Sequence, residues 1–144
     1  MNFLMGVLIL ISVNTYAAYK FNCSFYDNAN GELLFQVRAF ASSTSGRNPN
    51  FFEDIEVLDA NDEVLSYQKF TAEPNAAHAA SNKYASTSIY VNGYVYNRFE
   101  LGLISKYAKI KSGDKIPSII LHRKGNAWLT HVVAEGVGSC VFNK

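Results

Sequence analysis

The chain has 144 residues, a formal net charge of +1, 49% hydrophobic residues and 14% aromatic residues. That is apolar material enough for one packed domain, and it excludes an intrinsically disordered chain. Its 2 cysteines also exclude a disulfide-dense mini-protein scaffold.

Residues 3–13 form an apolar run broken by a single Ser, shorter than the ~20 residues that a membrane-spanning helix needs. Thr15-Tyr16-Ala17 follows with small residues in the pattern of a signal-peptidase site, although no Lys or Arg precedes the run. The expectation is a signal peptide over 1–17 and a single β domain over 18–144, secreted or periplasmic. No later apolar run reaches spanning length, so no transmembrane segment is expected in the mature chain.

Tyr19, Phe21, Cys23 and Phe25 alternate with Lys20, Asn22 and Ser24, the pattern of a half-buried strand. Residues 27–31 are dense in turn formers and should close a hairpin onto a strand that carries Leu33, Phe35, Val37 and Ala39 on one face. Residues 42–50 read as a polar loop. Residues 55–59 and 63–70 predict a second hairpin around Ala60-Asn61-Asp62. Residues 71–83 are the longest polar break, with an Ala-rich stretch suited to a turn or two of helix.

Residues 86–91 and 94–96 flank Asn92-Gly93, a strong hairpin signal because both positions favour positive φ; a bulge at Gly93 within one longer strand is the alternative. Residues 99–104 continue as strand, and 106–115 form a basic connection. Ile119, Leu121 and Arg123 run into a turn at Lys124-Gly125-Asn126, from which Trp128, Thr130, Val132 and Ala134 return, and Gly136 and Gly138 loosen the end of that strand. Short strands at fairly even intervals, without a long helical segment, predict an all-β fold. It is a single antiparallel β-sandwich or small β-barrel of about seven to nine strands. The odd-numbered positions of the first strand, with Leu121, Trp128 and Val132, are the expected core.

Cys23 and Cys140 lie near the two ends of the mature chain, and in an exported protein they are expected to form one disulfide. Charge is distributed unevenly. Acids concentrate between Glu53 and Glu73 and bases between Lys83 and Lys124; opposed patches of this kind steer partners, unless the strands pair and neutralise each other.

No nucleophile elbow, zinc-protease helix, phosphate loop or dinucleotide fingerprint occurs, and the sequence is read as non-catalytic with no cofactor. With a two-residue turn at Gly125-Asn126, His122 and His131 would lie diagonally on one strand face with Glu135, a weak candidate metal site. Asp59-Ala60-Asn61-Asp62-Glu63 has the acids of a calcium loop without its glycine, and reads as a hairpin turn. Tyr84, Tyr90, Tyr94 and Tyr96 supply rigid amphipathic rings, and Lys106, Lys109 and Lys111 follow closely; together they form the candidate partner-binding set.

In size and cysteine placement, with a Tyr-led first strand bearing Cys23 and a Cys on the last strand, the chain loosely resembles small periplasmic lysozyme-inhibitor barrels. The Ser-Gly-x-x-Tyr loop of that family is replaced by Ser81-Asn82-Lys83-Tyr84, so no functional residue is carried over. The functional expectation is an exported binding or interaction module. Its partner is expected to be an unknown protein or carbohydrate of the cell envelope, and not nucleic acid. The alternatives are a metal-assisted hydrolase using His122, His131 and Glu135, or a small-molecule carrier if the domain is an open-mouthed barrel.

Overall fold

Period-two alternation builds the walls of this protein, most clearly over Tyr19–Tyr26, Leu33–Ser42 and Lys115–Gly125. In the computed structural model, which describes residues 19–42, 51–71, 85–103 and 111–143, eight strands follow one another: β1 (Tyr19–Tyr26), β2 (Leu33–Ser42), β3 (Phe51–Asp59), β4 (Val64–Thr71), β5 (Ala85–Val91), β6 (Tyr94–Leu103), β7 (Lys115–Gly125) and β8 (Thr130–Asn143). The signal-peptide segment, the 42–50 loop beyond Ser42 and the Ala-rich stretch lie outside the described residues. The strands form one antiparallel sheet in the order β4-β3-β2-β1-β8-β7-β6-β5. Each strand is therefore beside its neighbour in sequence, with β1 joining β8. No helix among the described residues is long and apolar enough to cross a membrane.

This sheet curls into a nearly closed barrel, which decides between the sandwich and the barrel. The two end strands meet without a backbone ladder. Instead Ser66 Oγ of β4 donates to the Tyr90 carbonyl of β5 at 2.8 Å, and Tyr90 N donates to Gln68 Oε1 at 3.0 Å. Side chains thus satisfy backbone groups that a sheet edge would leave bare.

The interior is aromatic. Phe21, Phe25, Phe35, Phe52, Phe99 and Phe142 are buried together with Val37, Ile55, Val57, Ile89, Leu101 and Ile120. Phe21 packs on Phe52 and Phe142 with ring centroids 5.4 and 5.1 Å apart, and Phe35 meets Phe99 edge-on at 5.3 Å. Cys23 and Cys140 face each other across β1 and β8 and form the expected disulfide inside this core, with Cα atoms 4.0 Å apart. On β8, Gly136 and Gly138 make room. A Cβ at Gly136 would lie 2.8 Å from Cβ of Phe25, and one at Gly138 would run into the Ser24 carbonyl. They are packing positions within a continuous strand, where the sequence suggests a loosened end.

Two further expectations are corrected. The β7–β8 turn is not centred on Gly125-Asn126: Gly125 is still paired with Thr130, and the turn is 126–129. Asn126 Oδ1 accepts the amide hydrogens of Trp128 and Leu129 at 2.9 and 3.1 Å, and Asn126 N donates to the Leu129 carbonyl. This capture places Trp128 at the hairpin tip and not in the core, and Val132 is exposed as well. Leu121 is only partly buried. The acidic and basic segments also do not neutralise each other by pairing. β3 pairs with β2 and β4, whereas β6 pairs with β5 and β7, so the described charges occupy different walls.

Candidate binding site at the hairpin end

An up-and-down barrel gathers alternate connections at one end. The tight turns at 27–32, 60–63, 92–93 and 126–129 all fall there, while strand termini such as Ser42, Phe51, Thr71, Ala85, Leu103 and Lys115 lie at the other. Half of the hairpin end is acidic. In the β3–β4 turn, Asp59 Oδ1 accepts from the amides of Asn61 and Glu63 at 2.8 and 3.0 Å, and Asp62 Oδ1 accepts from Gln36 Nε2 and Arg38 at 2.9 and 3.3 Å. The Asp59 and Asp62 carboxylates of the calcium-like loop are thus spent on holding a turn.

The other half is aromatic. Asn92 and Gly93 have φ of 53° and 75°, the left-handed values a tight hairpin turn requires, and they release the chain into Tyr94, Val95 and Tyr96. Next to them stands the 126–129 turn. Trp128 is 95% exposed, Leu129 71% and Tyr94 68%. Tyr94, Tyr96, Asn97, Lys124 and Gly125 line a shallow cleft of about 350 Å³. That size is at the lower end of ligand sites, ~300–1,000 Å³.

The cleft has a fixed floor. Asn97 Oδ1 meets His122 Nε2 at 2.9 Å, and the His122 ring stacks on Phe99 with centroids 4.3 Å apart. Burial, then the nearby Lys124, pushes His122 below its ordinary value, so its ring is neutral at physiological pH. Beside it on the outer wall, Glu100 binds two cations: Arg98 at 3.1 Å and Arg123 at 2.9 Å. Arg98 also donates to the Val95 carbonyl. Lys124 has no such acid partner among the described residues and is the cation left to the cleft.

The residues singled out by sequence are divided by the fold. Tyr94 and Tyr96 share the cleft, and Tyr90 is half-buried beside the β4–β5 seam. Lys111 lies at the opposite end of the barrel, near Asp114 and the carboxyl end of β8. Tyr84, Lys106 and Lys109 are outside the described residues. The register also splits the candidate metal set. His122 pairs with Ala134 and packs inward, His131 pairs with Lys124 and is exposed, and Glu135 pairs with Leu121 on the outer face. Among the described residues no three His, Cys, Asp or Glu side chains are grouped to hold a metal ion.

Sequence reasoning missed Trp128 and Leu129. The signal was present in Asn126, whose short amide caps a turn two and three residues ahead. No family model, curated protein or solved structure matches the chain.

Proposed function

We propose that the chain is an exported, non-catalytic interaction module of the cell envelope or extracellular space that docks a protein partner through the hairpin end of β5–β8. The carrying observation is the exposure of Trp128 and Leu129 in the turn of one hairpin and of Tyr94 and Tyr96 at the start of the neighbouring strand. Trp and Tyr dominate binding energy at protein interfaces, and exposed apolar clusters of this kind mark interaction sites. Rings on a rigid strand pair lose little conformational entropy on docking. Lys124, which has no acid partner among the described residues, favours a partner with an acidic rim, and the contact then weakens as salt rises.

Export is supported by the apolar run at residues 3–13 and by a Cys23–Cys140 disulfide compatible with an oxidising compartment. The test is a pull-down from envelope extract with disulfide-intact residues 18–144 as bait, followed by titration of the identified partner. The chain has 1 Trp, so its emission reports the site directly. Docking at the hairpin end shifts that emission to shorter wavelength; saturation with no change in emission refutes this surface.

A further inference from the structure

A second surface, on another wall of the barrel, has different chemistry. Asn22, Arg38, Glu56 and Tyr67 are successive cross-strand partners on β1, β2, β3 and β4, forming one row across four strands. Asp54 interrupts the ladder beside this row. It sits where the β2–β3 register shifts between Arg38 and Phe40, with φ of 48°, an uncommon conformation for a residue that is not glycine. The bulge turns its carboxylate onto the Tyr67 hydroxyl, which donates to Asp54 Oδ1 at 2.8 Å. That bond, with slight desolvation and the charges of Asp54 and Glu56, raises the Tyr67 phenol above its ordinary 10.0.

These residues, with Lys20 and Phe40, line a groove of about 340 Å³. Its composition is specific in three ways. Among the lining residues Lys20 and Arg38 match Asp54 and Glu56 in number, Arg38 also bonding Asp62 outside the groove, so the lining carries no net charge and does not select a simple anion or cation. Donors and acceptors alternate along the row: amide, guanidinium, carboxylate, phenol. Phe40 and Tyr67 are 47% and 55% exposed and offer apolar ring area between those polar groups. A ligand that satisfies all three must be uncharged, carry hydroxyls able both to donate and to accept, and have an apolar face.

We infer that this outer groove of β1–β4 binds a neutral saccharide chain, with carboxylates and cations bonding its hydroxyls and the Phe40 and Tyr67 rings packing its C–H faces. The groove is independent of the protein-docking end, because it shares none of the residues of the Tyr94–Lys124 cleft.

The experiment is an NMR titration of disulfide-intact residues 18–144 with neutral tetrasaccharides of glucose, mannose and N-acetylglucosamine. A uronate tetrasaccharide and a Glu-Lys peptide serve as competitors of other classes. The expected result is saturable shifts at Asn22, Arg38, Asp54, Glu56 and Tyr67 with at least one neutral sugar. Affinity should fall about tenfold or more in Tyr67→Ala and in Glu56→Gln, with thermal midpoints unchanged, while Trp128→Ala binds as the native chain does. Absence of shifts with all three neutral sugars, shifts confined to the Tyr94 and Trp128 region, or binding only of the uronate or the peptide overturns the assignment. Loss of sugar binding in Trp128→Ala does so too. Failure of partner docking at Trp128 leaves these readouts untouched.

Discussion

Ser66 and Tyr90 close the barrel: the Ser66 hydroxyl donates to the Tyr90 carbonyl at 2.8 Å across the one strand boundary that, among the described residues, the backbone ladder leaves unjoined. Gln68 completes the clasp by accepting from Tyr90 N. A part-buried backbone group stripped of its partner costs about 1–3 kcal/mol. Ser66→Ala is therefore expected to lower stability by that order, read as a smaller urea midpoint at unchanged slope. In Gln68→Ala the Tyr90 amide should exchange its hydrogen faster, while amides in β1 and β8 stay protected. Unchanged exchange at Tyr90 contradicts a side-chain clasp.

The Cys23–Cys140 bridge spans a sequence separation of 117 residues. Loop-closure entropy for a ring of that size is worth about 4–5 kcal/mol in the chain-entropy account. Reduction, or a paired Cys23→Ala and Cys140→Ala replacement, should lower unfolding free energy by roughly 4 kcal/mol. The far-ultraviolet β signal should persist if the rest of the core suffices. A loss below about 1 kcal/mol contradicts a staple role.

Stability should also depend on His122. Its folded-state value lies below the ordinary 6.5 because the ring is partly buried, and secondarily because of Lys124. Below 6.5 the unfolded chain takes up a proton that the folded chain resists. The contribution is fully present above that value and is lost as pH falls through it toward the lower folded value. Urea midpoints should therefore drop between pH 7 and pH 5. The His122→Phe chain, which keeps the stack on Phe99, should show a shallower drop. Equal slopes for the two chains contradict the assignment, since every other titrating group is common to both.

At Gly136 the limit is space. A methyl there meets Cβ of Phe25 at 2.8 Å and Cγ2 of Ile120 at 3.2 Å, and overpacking of this kind costs about 1–3 kcal/mol. Gly136→Ala should be destabilised by that order in urea. Combining it with Ile120→Ala, which removes the Cγ2 methyl that the new Cβ would meet, should lose less than the two separate changes added together. Strict additivity contradicts a shared clash.

Much of this architecture was legible in short-range pattern. The alternation of Phe21, Cys23 and Phe25, the Asn92-Gly93 turn and the pairing of Cys23 with Cys140 all follow from residue type and spacing, and each is present. What was not legible depends on groups distant in sequence or on a single side chain choosing its partner. The barrel closes through Ser66 and Gln68 reaching Tyr90, contacts 24 and 22 residues apart, and neither residue type announces closure. Asn126 captures two amides ahead of it and so delays the β7–β8 turn past Gly125. That shift put Trp128 on the surface at the hairpin end, and a separate register shift between His122 and Arg123 split Glu135 from His122. The bulge at Asp54 had no glycine to mark it.

The most direct test of the docking surface is capture by the chain carrying Tyr94→Ala, Tyr96→Ala and Trp128→Ala, measured beside its thermal midpoint. All three side chains are exposed, so the midpoint should stay within a few degrees of the native chain while partner capture is abolished. Capture at the native level by a folded triple variant contradicts a docking role for the hairpin end. A large fall in the midpoint contradicts the exposure of these rings, and the docking surface with it.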